Sequence, residues 1–290
     1  MSLNILVLAK QVPDTRNVGK DAMTAEGTVN RAALPAIFNP EDLNALEQAL
    51  RIKDQNPGST VTILTMGPFR AAEIIRESLY RGADRGYVLS DRAFAGSDTL
   101  ATSYALSCAI RNLKNIDLIV CGRQAIDGDT AQVGPQVAEK LGMNQITYAE
   151  EIQSVKNGVI RVKRRVEKGI EVLEGPLPML VTVNSTAAPC RPRNAKLLMK
   201  YKYARIPNEL QASNEDYTSL CCSRDFLQIG EWSVNDIVSD QAELGLGGSP
   251  TKVKKIENVI FQAKESKTLS ASDNEIESLI QELISNHTIG

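Results

Sequence analysis

Short apolar runs alternate with amphipathic stretches through the first half of the chain. Residues 3–9, 61–66, 87–89 and 118–121 are apolar runs of strand length, each ending at small or polar residues. Between them, Leu43, Leu46 and Leu50 recur at helical spacing, as do Ala71, Ile74, Ile75, Ser78 and Leu79. Ala101, Tyr104, Ala105 and Cys108 mark a third helix, and Val133, Val137, Ala138 and Leu141 a fourth. Asn39 stands where a helix N-cap would, with Pro40 at the first helical position and Glu41 and Asp42 in the first turn. Asp98 suits the cap of the third helix. Strands separated by helices of this length predict βαβ crossovers and a parallel sheet.

The pattern changes after Gly142. Residues 147–153, 159–166 and 170–173 alternate in the manner of short antiparallel strands, with turns at Asn157-Gly158 and Lys168-Gly169. Residues 180–183 read as one more strand. Residues 185–222 look irregular, interrupted by Pro189, Pro192 and Pro207. Residues 245–250 read as a loop, Lys252, Lys254 and Lys255 cluster after it, and 265–272 are mostly polar. A final helix over 271–286 carries Ile276, Leu279, Ile280, Leu283 and Ile284 on one stripe. It either folds back on its own domain or docks on a partner, and the polar stretch before it favours the partner. The expected division is a nucleotide-binding α/β domain with an antiparallel extension over 1–222 and a C-terminal arm with its helix over 223–290.

The chemistry concentrates after the run 118–121. A strand feeding a Gly-rich loop and then a helix N-terminus can hold a phosphate on unpaired amides and a positive dipole end. Gly122, Gly128 and Gly134 would let backbone come close to a ligand. Asp127, Asp129, Thr130 and Gln132 could hydrogen-bond a ribose or base. Taken alone, the loop also suits an ordinary strand-to-helix connection, although about 2–6 residues would suffice for one. Ligands on parallel sheets sit at the carboxyl ends of the strands, and Ala9-Lys10, Met66-Gly67 and Gly122 all stand at such ends. Neither GxGxxG at the first helix nor GxxxxGK[ST] occurs, so a nucleotide must be held in another way.

Composition narrows the chemistry further. The chain has 290 residues, 42% of them apolar, enough for a full core. With 33 basic and 35 acidic residues it lacks the basic excess of a nucleic-acid binder. No apolar stretch approaches about 18 residues, so no membrane span is expected. The start of the chain shows no secretory signal, and five cysteines without a CxxC pair suit a reducing compartment, so a cytoplasmic location is expected. The one histidine, His287, leaves no basis for a histidine dyad or a histidine metal centre; no catalytic residue and no metal site are expected, and the chemistry should come from a bound cofactor.

Several segments together resemble the β subunit of electron transfer flavoproteins. They are ILVLAKQVPD at 5–14, FNPEDLNALEQALRIKD at 38–54, MGP at 66–68, RGADRG at 81–86 and GRQAIDGDTAQVGP at 122–135. The stretch VKRRVEKGIEVLEGPLPMLVTVN at 162–184 adds the family's charged hairpin, Leu-Pro and closing strand. The resemblance runs from residue 3 to about 257. It implies an α/β fold, a parallel doubly wound Rossmann-like sheet of the adenine nucleotide hydrolase-like kind, with an antiparallel strand extension and a C-terminal arm. It implies a heterodimer with an α subunit, FAD at the interface with that subunit, and AMP or a second FAD in the β subunit. The implied nucleotide contacts are Ala9, Asn39, Pro40, Glu41, Asp42, Met66, Gly122, Arg123, Gln124, Ala125, Ile126, Asp127, Gly128, Asp129, Thr130, Ala131, Gln132 and Val133.

The loop departs from the AMP-type pattern, which has three consecutive acids and then Asn-Gln-Thr-Gly. Gly128, Ala131 and Val133 stand here instead, which resembles the FAD-carrying members that bifurcate electrons from NADH toward an acceptor such as ferredoxin. The family's partner-docking loop corresponds to CRPRNAKLLMKYKY at 190–203. An exposed Leu197-Leu198 pair would enter a pocket of an acyl-CoA or other flavin dehydrogenase, with Arg193, Lys196 and Lys200 at the rim. Either leucine could be the anchor, and one could instead pack inside. The competing reading is a stand-alone nucleotide-binding sensor, without partner or flavin. An adenylating enzyme is disfavoured, because Ala9-Lys10-Gln11 replaces the Ser-Gly-Gly phosphate loop such enzymes carry after the first strand.

Overall fold

The computed structural model describes residues 2–14, 35–212, 217–251, 266, 268–286 and 288–289. The lysine cluster at Lys252, Lys254 and Lys255, His287, and Glu265 and Lys267 of the polar stretch before the last helix lie outside the described residues. The chain divides into two units, 1–254 and 255–290.

In the first unit, the strands β1 (Asn4–Leu8), β4 (Thr60–Met66), β5 (Arg85–Leu89) and β6 (Leu118–Gly122) form a parallel core. Helices α1 (Pro40–Gln55), α2 (Ala72–Leu79) and α3 (Thr99–Leu113) connect them, and α4 (Val133–Leu141) follows β6. Alternation along β1 sorts the two faces. Ile5 and Val7 pack with Leu46 and Leu50 of α1 and Ile75 of α2, while Leu6 and Leu8 pack with Leu106 and Ala109 of α3 and Val137 of α4. The sheet is therefore covered on both sides, as near-continuous apolar strands require. A separate two-stranded pair, β2 (Gln11–Pro13) with β3 (Ala36–Phe38), leads from β1 toward α1.

With β7 (Asn144–Lys156), β8 (Val159–Val166), β9 (Gly169–Pro176), β10 (Met179–Val183) and β11 (Gly230–Trp232) following in the chain, the strand order is β11-β5-β4-β1-β6-β10-β7-β8-β9. From β1 the chain winds through β4 to β5 on one side, then crosses to β6 on the other. The direction of winding switches between β1 and β6, and this is where an open α/β sheet leaves a crevice.

The extension differs in detail from its prediction. β7 (Asn144–Lys156) is thirteen residues long and lies parallel to β10 (Met179–Val183), which is itself parallel to β6. The antiparallel pairings here are those of β8 (Val159–Val166) with β7 on one side and β9 (Gly169–Pro176) on the other, so the extension continues the main sheet. A register shift between Val181 and Val183 accommodates Tyr148, whose φ of 60° is left-handed.

Residues 185–222 are more regular than their prolines suggest. They contain α5 (Ala195–Tyr201), α6 (Pro207–Ala212) and α7 (Thr218–Cys222). Asn194 caps α5, its Oδ1 accepting from the amides of Lys196 and Leu197. Part of the segment assigned to the arm joins the sheet: β11 (Gly230–Trp232) pairs parallel with β5, and Trp232 stacks on Tyr87 at 4.3 Å. In the second unit, α8 (Asp273–Ser285) bears Ile276, Ile280 and Ile284 one turn apart, all exposed.

Candidate functional site

The carboxyl ends of β1 and β6 meet at the N-terminal turn of α1. Asn39 directly precedes that helix but does not cap it. Its Nδ2 donates to the Gln124 carbonyl at 2.9 Å, and its Oδ1 accepts from the Ile126 amide at 3.2 Å. The Asp42 amide is met instead by the Asn39 carbonyl at 3.1 Å, and the Asn39 side chain holds the loop after β6. Glu41 continues the clasp: its Oε2 accepts from the Gln124 amide at 2.9 Å, and its Oε1 lies 3.4 Å from the Arg123 guanidinium.

Asp42 is buried and joins the two strand ends. One carboxylate oxygen accepts from the Lys10 amide at 2.8 Å, the other from the Gly122 amide at 2.9 Å. Burial pushes its pKa up to about 7, against the downward pull of the two amides and Asn39 and with a smaller upward push from Glu41. Burial, and then the Asp42 charge, also push the neighbouring Cys121 thiol up.

Lys10 spans the crevice. Its Nζ donates to both Asp127 oxygens at 2.8 Å, tying the segment after β1 to the loop after β6. Lys10 stands at a strand end in the sequence but received no role there, because an isolated lysine carries no periodic or motif signal.

The loop itself is ordered by its own residues. Gln124 Nε2 donates to Asp129 Oδ1 at 2.8 Å, and the Gly128 and Asp129 amides donate to the Ala125 carbonyl. Asp129 and Ala131 adopt left-handed backbone, with φ of 49° and 52°. Such conformations are costly for non-glycine residues and collect at ligand-binding turns. Thr99 donates to Gln132 Oε1 at 2.8 Å, linking the start of α3 to the residue preceding α4.

Two of the three glycines let protein elements come close. A Cβ on Gly122 would lie 2.5 Å from Asp42 Oδ1 and 2.8 Å from the Glu41 backbone, so this glycine lets α1 approach the strand end. Gly134 likewise admits Thr182 and Cys121, at 2.7 and 3.0 Å, where α4 packs on the sheet. Gly128 faces open space. Of the predicted contacts, Asn39, Glu41, Asp42, Gly122, Arg123, Gln124, Ile126 and Asp127 are joined by the bonds above, with Pro40 in the same turn. Ala9 and Met66 end or follow the neighbouring strands, and Thr130 is an exposed loop residue before Val133, the first residue of α4.

The donor set suits a phosphorylated nucleotide. Lys10 and Arg123 provide cations at the strand ends, the Arg123 Nε and the Thr65 hydroxyl are buried without a partner among the described residues, and Asp129 offers acceptors at the exposed rim. Among the described residues no group of side chains could hold a metal ion, and no helix is long and apolar enough to cross a membrane.

The predicted docking residues lie on and before α5, on another part of the first unit. Arg193, Lys196 and Lys200 are exposed, but the Leu197-Leu198 pair is not. Leu197 is half-buried and packs on the core, and Leu198 is half-buried too. The exposed apolar side chain is Met199, at 68%. Adjacent residues on the helix are turned by about 100°, and here that places Met199 and Lys200 outward while Leu197 turns toward the core.

Residues 26–206 match the electron transfer flavoprotein domain family. The chain is 44% identical to the caffeyl-CoA reductase-Etf complex subunit CarD of Acetobacterium woodii over 87% of this chain and 86% of that protein. It is also 44% identical to the electron transfer flavoprotein subunit beta of Megasphaera elsdenii, over 88% and 87%. The acryloyl-CoA reductase electron transfer subunit gamma of Anaerotignum propionicum is 40% identical over 99% of this chain and all of its own length.

Proposed function

Because the chain belongs to the electron transfer flavoprotein family, as a β-type subunit, we propose that it holds an adenine nucleotide, FAD or AMP, at the carboxyl ends of β1, β4 and β6. In this reading it is a cytoplasmic subunit that pairs with an α subunit, with FAD at their interface, and passes electrons between flavins and partner dehydrogenases. The observation that carries the nucleotide reading is the clasp of Asn39, Glu41 and Asp42 on residues 122–126, which presents a preformed loop beside two cations.

A bound flavin supplies the redox chemistry, and the chain's residues bind and orient it. Lys10 and Arg123 meet phosphate oxygens, and Asp127 and Asp129 meet ribose hydroxyls or base N–H groups. The names of two relatives support a partner acting on acyl-CoA substrates. We favour FAD in the β subunit, because Gly128 leaves open space and removes a carboxylate where a diphosphate would add negative charge. That form would accept a hydride from NADH and serve an acceptor such as ferredoxin; the AMP form would leave electron transfer to the α-subunit flavin. The arm over 223–290, or α8 within it, is read as docking on the α subunit.

The test is the nucleotide released on denaturing the purified heterodimer. A second flavin per heterodimer supports FAD at this site, and AMP in its place selects the alternative. Absence of any adenine nucleotide on the β subunit overturns the site. Asn39→Ala should lose the nucleotide while the heterodimer persists.

A further inference from the structure

A cleft of about 530 Å³ lies at the other end of the parallel core from the strand-end crevice. It is formed by the C-terminal end of α1, the turn between α2 and β5, and the segment entering α5. Asp84 in that turn bonds the Val61 amide at the start of β4, which fixes the cleft at the amino ends of the strands. Its volume is that of a small-molecule site.

Five cations line the cleft: Lys53, Arg81, Arg191, Arg193 and Lys200. Their carboxylates are largely committed. Asp84 holds Lys53 at 2.7 Å, and Asp54 and Glu47 hold Arg191 at 2.8 and 2.9 Å. Glu47 is also shared with Arg51 at 3.0 Å. Glu77 serves both Arg81 and Arg193, and the Arg81 Nε is buried without a partner among the described residues. Lys200 rests against the faces of Tyr201 and Phe226 and has no carboxylate partner among the described residues. Arg51 included, five cations thus draw on four carboxylates, Glu47, Asp54, Asp84 and Glu77, and Lys200 makes six cations against four. Leu50, Leu197 and Tyr201 supply an apolar wall beside this surplus.

We propose that this cleft binds a small organic phosphate, an anion with an apolar or ring-bearing body. A phosphate monoester carries about −1.5 to −2 at neutral pH, which matches the surplus, and its oxygens suit guanidinium donors. The body would lie on Leu50, Leu197 and Tyr201. Because Leu197 belongs to α5, occupancy would brace that helix. The site is separate from the strand-end crevice and does not depend on what the crevice holds.

The probe is phenyl phosphate, titrated calorimetrically into the nucleotide-loaded heterodimer. The expected dissociation constant is about 1 mM or tighter, weakening as salt is raised. The double variant Arg193→Gln/Lys200→Gln should weaken binding about tenfold or more, with bound adenine nucleotide and circular dichroism unchanged, since both side chains are exposed. Lys10→Gln, in the crevice, should leave the titration unchanged. Loss of binding in Lys10→Gln, or retention in the double variant, would overturn the assignment. Equal affinity for inorganic phosphate or for benzoate would also overturn it, the first by removing the role of the apolar wall and the second that of the phosphate.

Discussion

The Lys10 ammonium and the Asp127 carboxylate form a two-pronged bridge, with both oxygens 2.8 Å from the nitrogen, across the mouth of the strand-end crevice. Lys10 is about half exposed, so the bridge contributes little to stability, on the order of 0–1 kcal/mol. Its importance lies in which partner the lysine has. Asp127→Asn should release the ammonium to a phosphate and slow nucleotide loss on dilution. Lys10→Gln should speed that loss. The rate at which adenine appears in the filtrate measures both, and equal rates in the two variants would remove Lys10 from the site.

Gly122 and Gly128 should respond oppositely to the same substitution. Gly122→Ala places a methyl group against Asp42 and the Glu41 backbone, and overpacking of this kind costs about 1–3 kcal/mol. Gly128→Ala meets open space and should leave urea unfolding of the nucleotide-free chain unchanged. If Gly128→Ala nevertheless lowers nucleotide affinity, the bound nucleotide occupies that space.

Asp42 makes stability depend on pH in an unusual direction. Its folded pKa, about 7, lies above the ordinary aspartate value, so the folded state holds a proton that the unfolded state releases. The penalty is absent below about pH 4, grows as pH rises, and is complete above about pH 7, with an upper bound of roughly 4 kcal/mol at about 1.4 kcal/mol per unit. Asp42→Asn cannot ionise, although its amide leaves either the Lys10 or the Gly122 N–H without an acceptor. The variant should therefore be less stable than the parent at pH 4 and recover relative to it by pH 8. A melting-temperature difference that stays constant over this range would show that Asp42 ionises freely in the fold.

Leu197 and Met199 separate packing from docking. Leu197→Ala removes a side chain that packs on the core and should cost about 1–3 kcal/mol of stability. Met199→Ala should leave the melting curve unchanged and slow electron transfer to the partner dehydrogenase. Unchanged transfer in Met199→Ala would place the docking surface away from α5.

Much of the parallel core was legible from residue pattern alone. The helix predicted at Val133 and ending at Leu141 is observed with those bounds, and Asp98 caps α3 through the Leu100 and Ala101 amides as expected. These elements are long enough for periodicity to show. The helices α5, α6 and α7 have five to seven residues, too few for a periodic signal and marginal without tertiary support. β11 is three residues long, pairs with β5 through its backbone and stacks Trp232 on Tyr87, contacts no local pattern announces. Asn39 was recognised by position but not by role, since sequence shows where a cap residue sits and not where its amide turns. Sequence leaves open which of Leu197 and Leu198 packs inside for the related reason that the axis of a seven-residue helix cannot be oriented from composition.

The insertion of β10 between β6 and β7 has a consequence for the chain as it leaves the ribosome. β6 is apolar and fully covered in the finished sheet, flanked by β1 on one side and β10 on the other. β1 has already been made when β6 emerges, but residues 179–183 follow only after the whole β7–β9 excursion. Until then β6 presents a bare edge of unpaired amides and carbonyls, the kind of surface to which other nascent chains adhere. The stretch between Gly122 and Met179 is thus a window of vulnerability during synthesis, and a pause in translation there should raise the need for a chaperone.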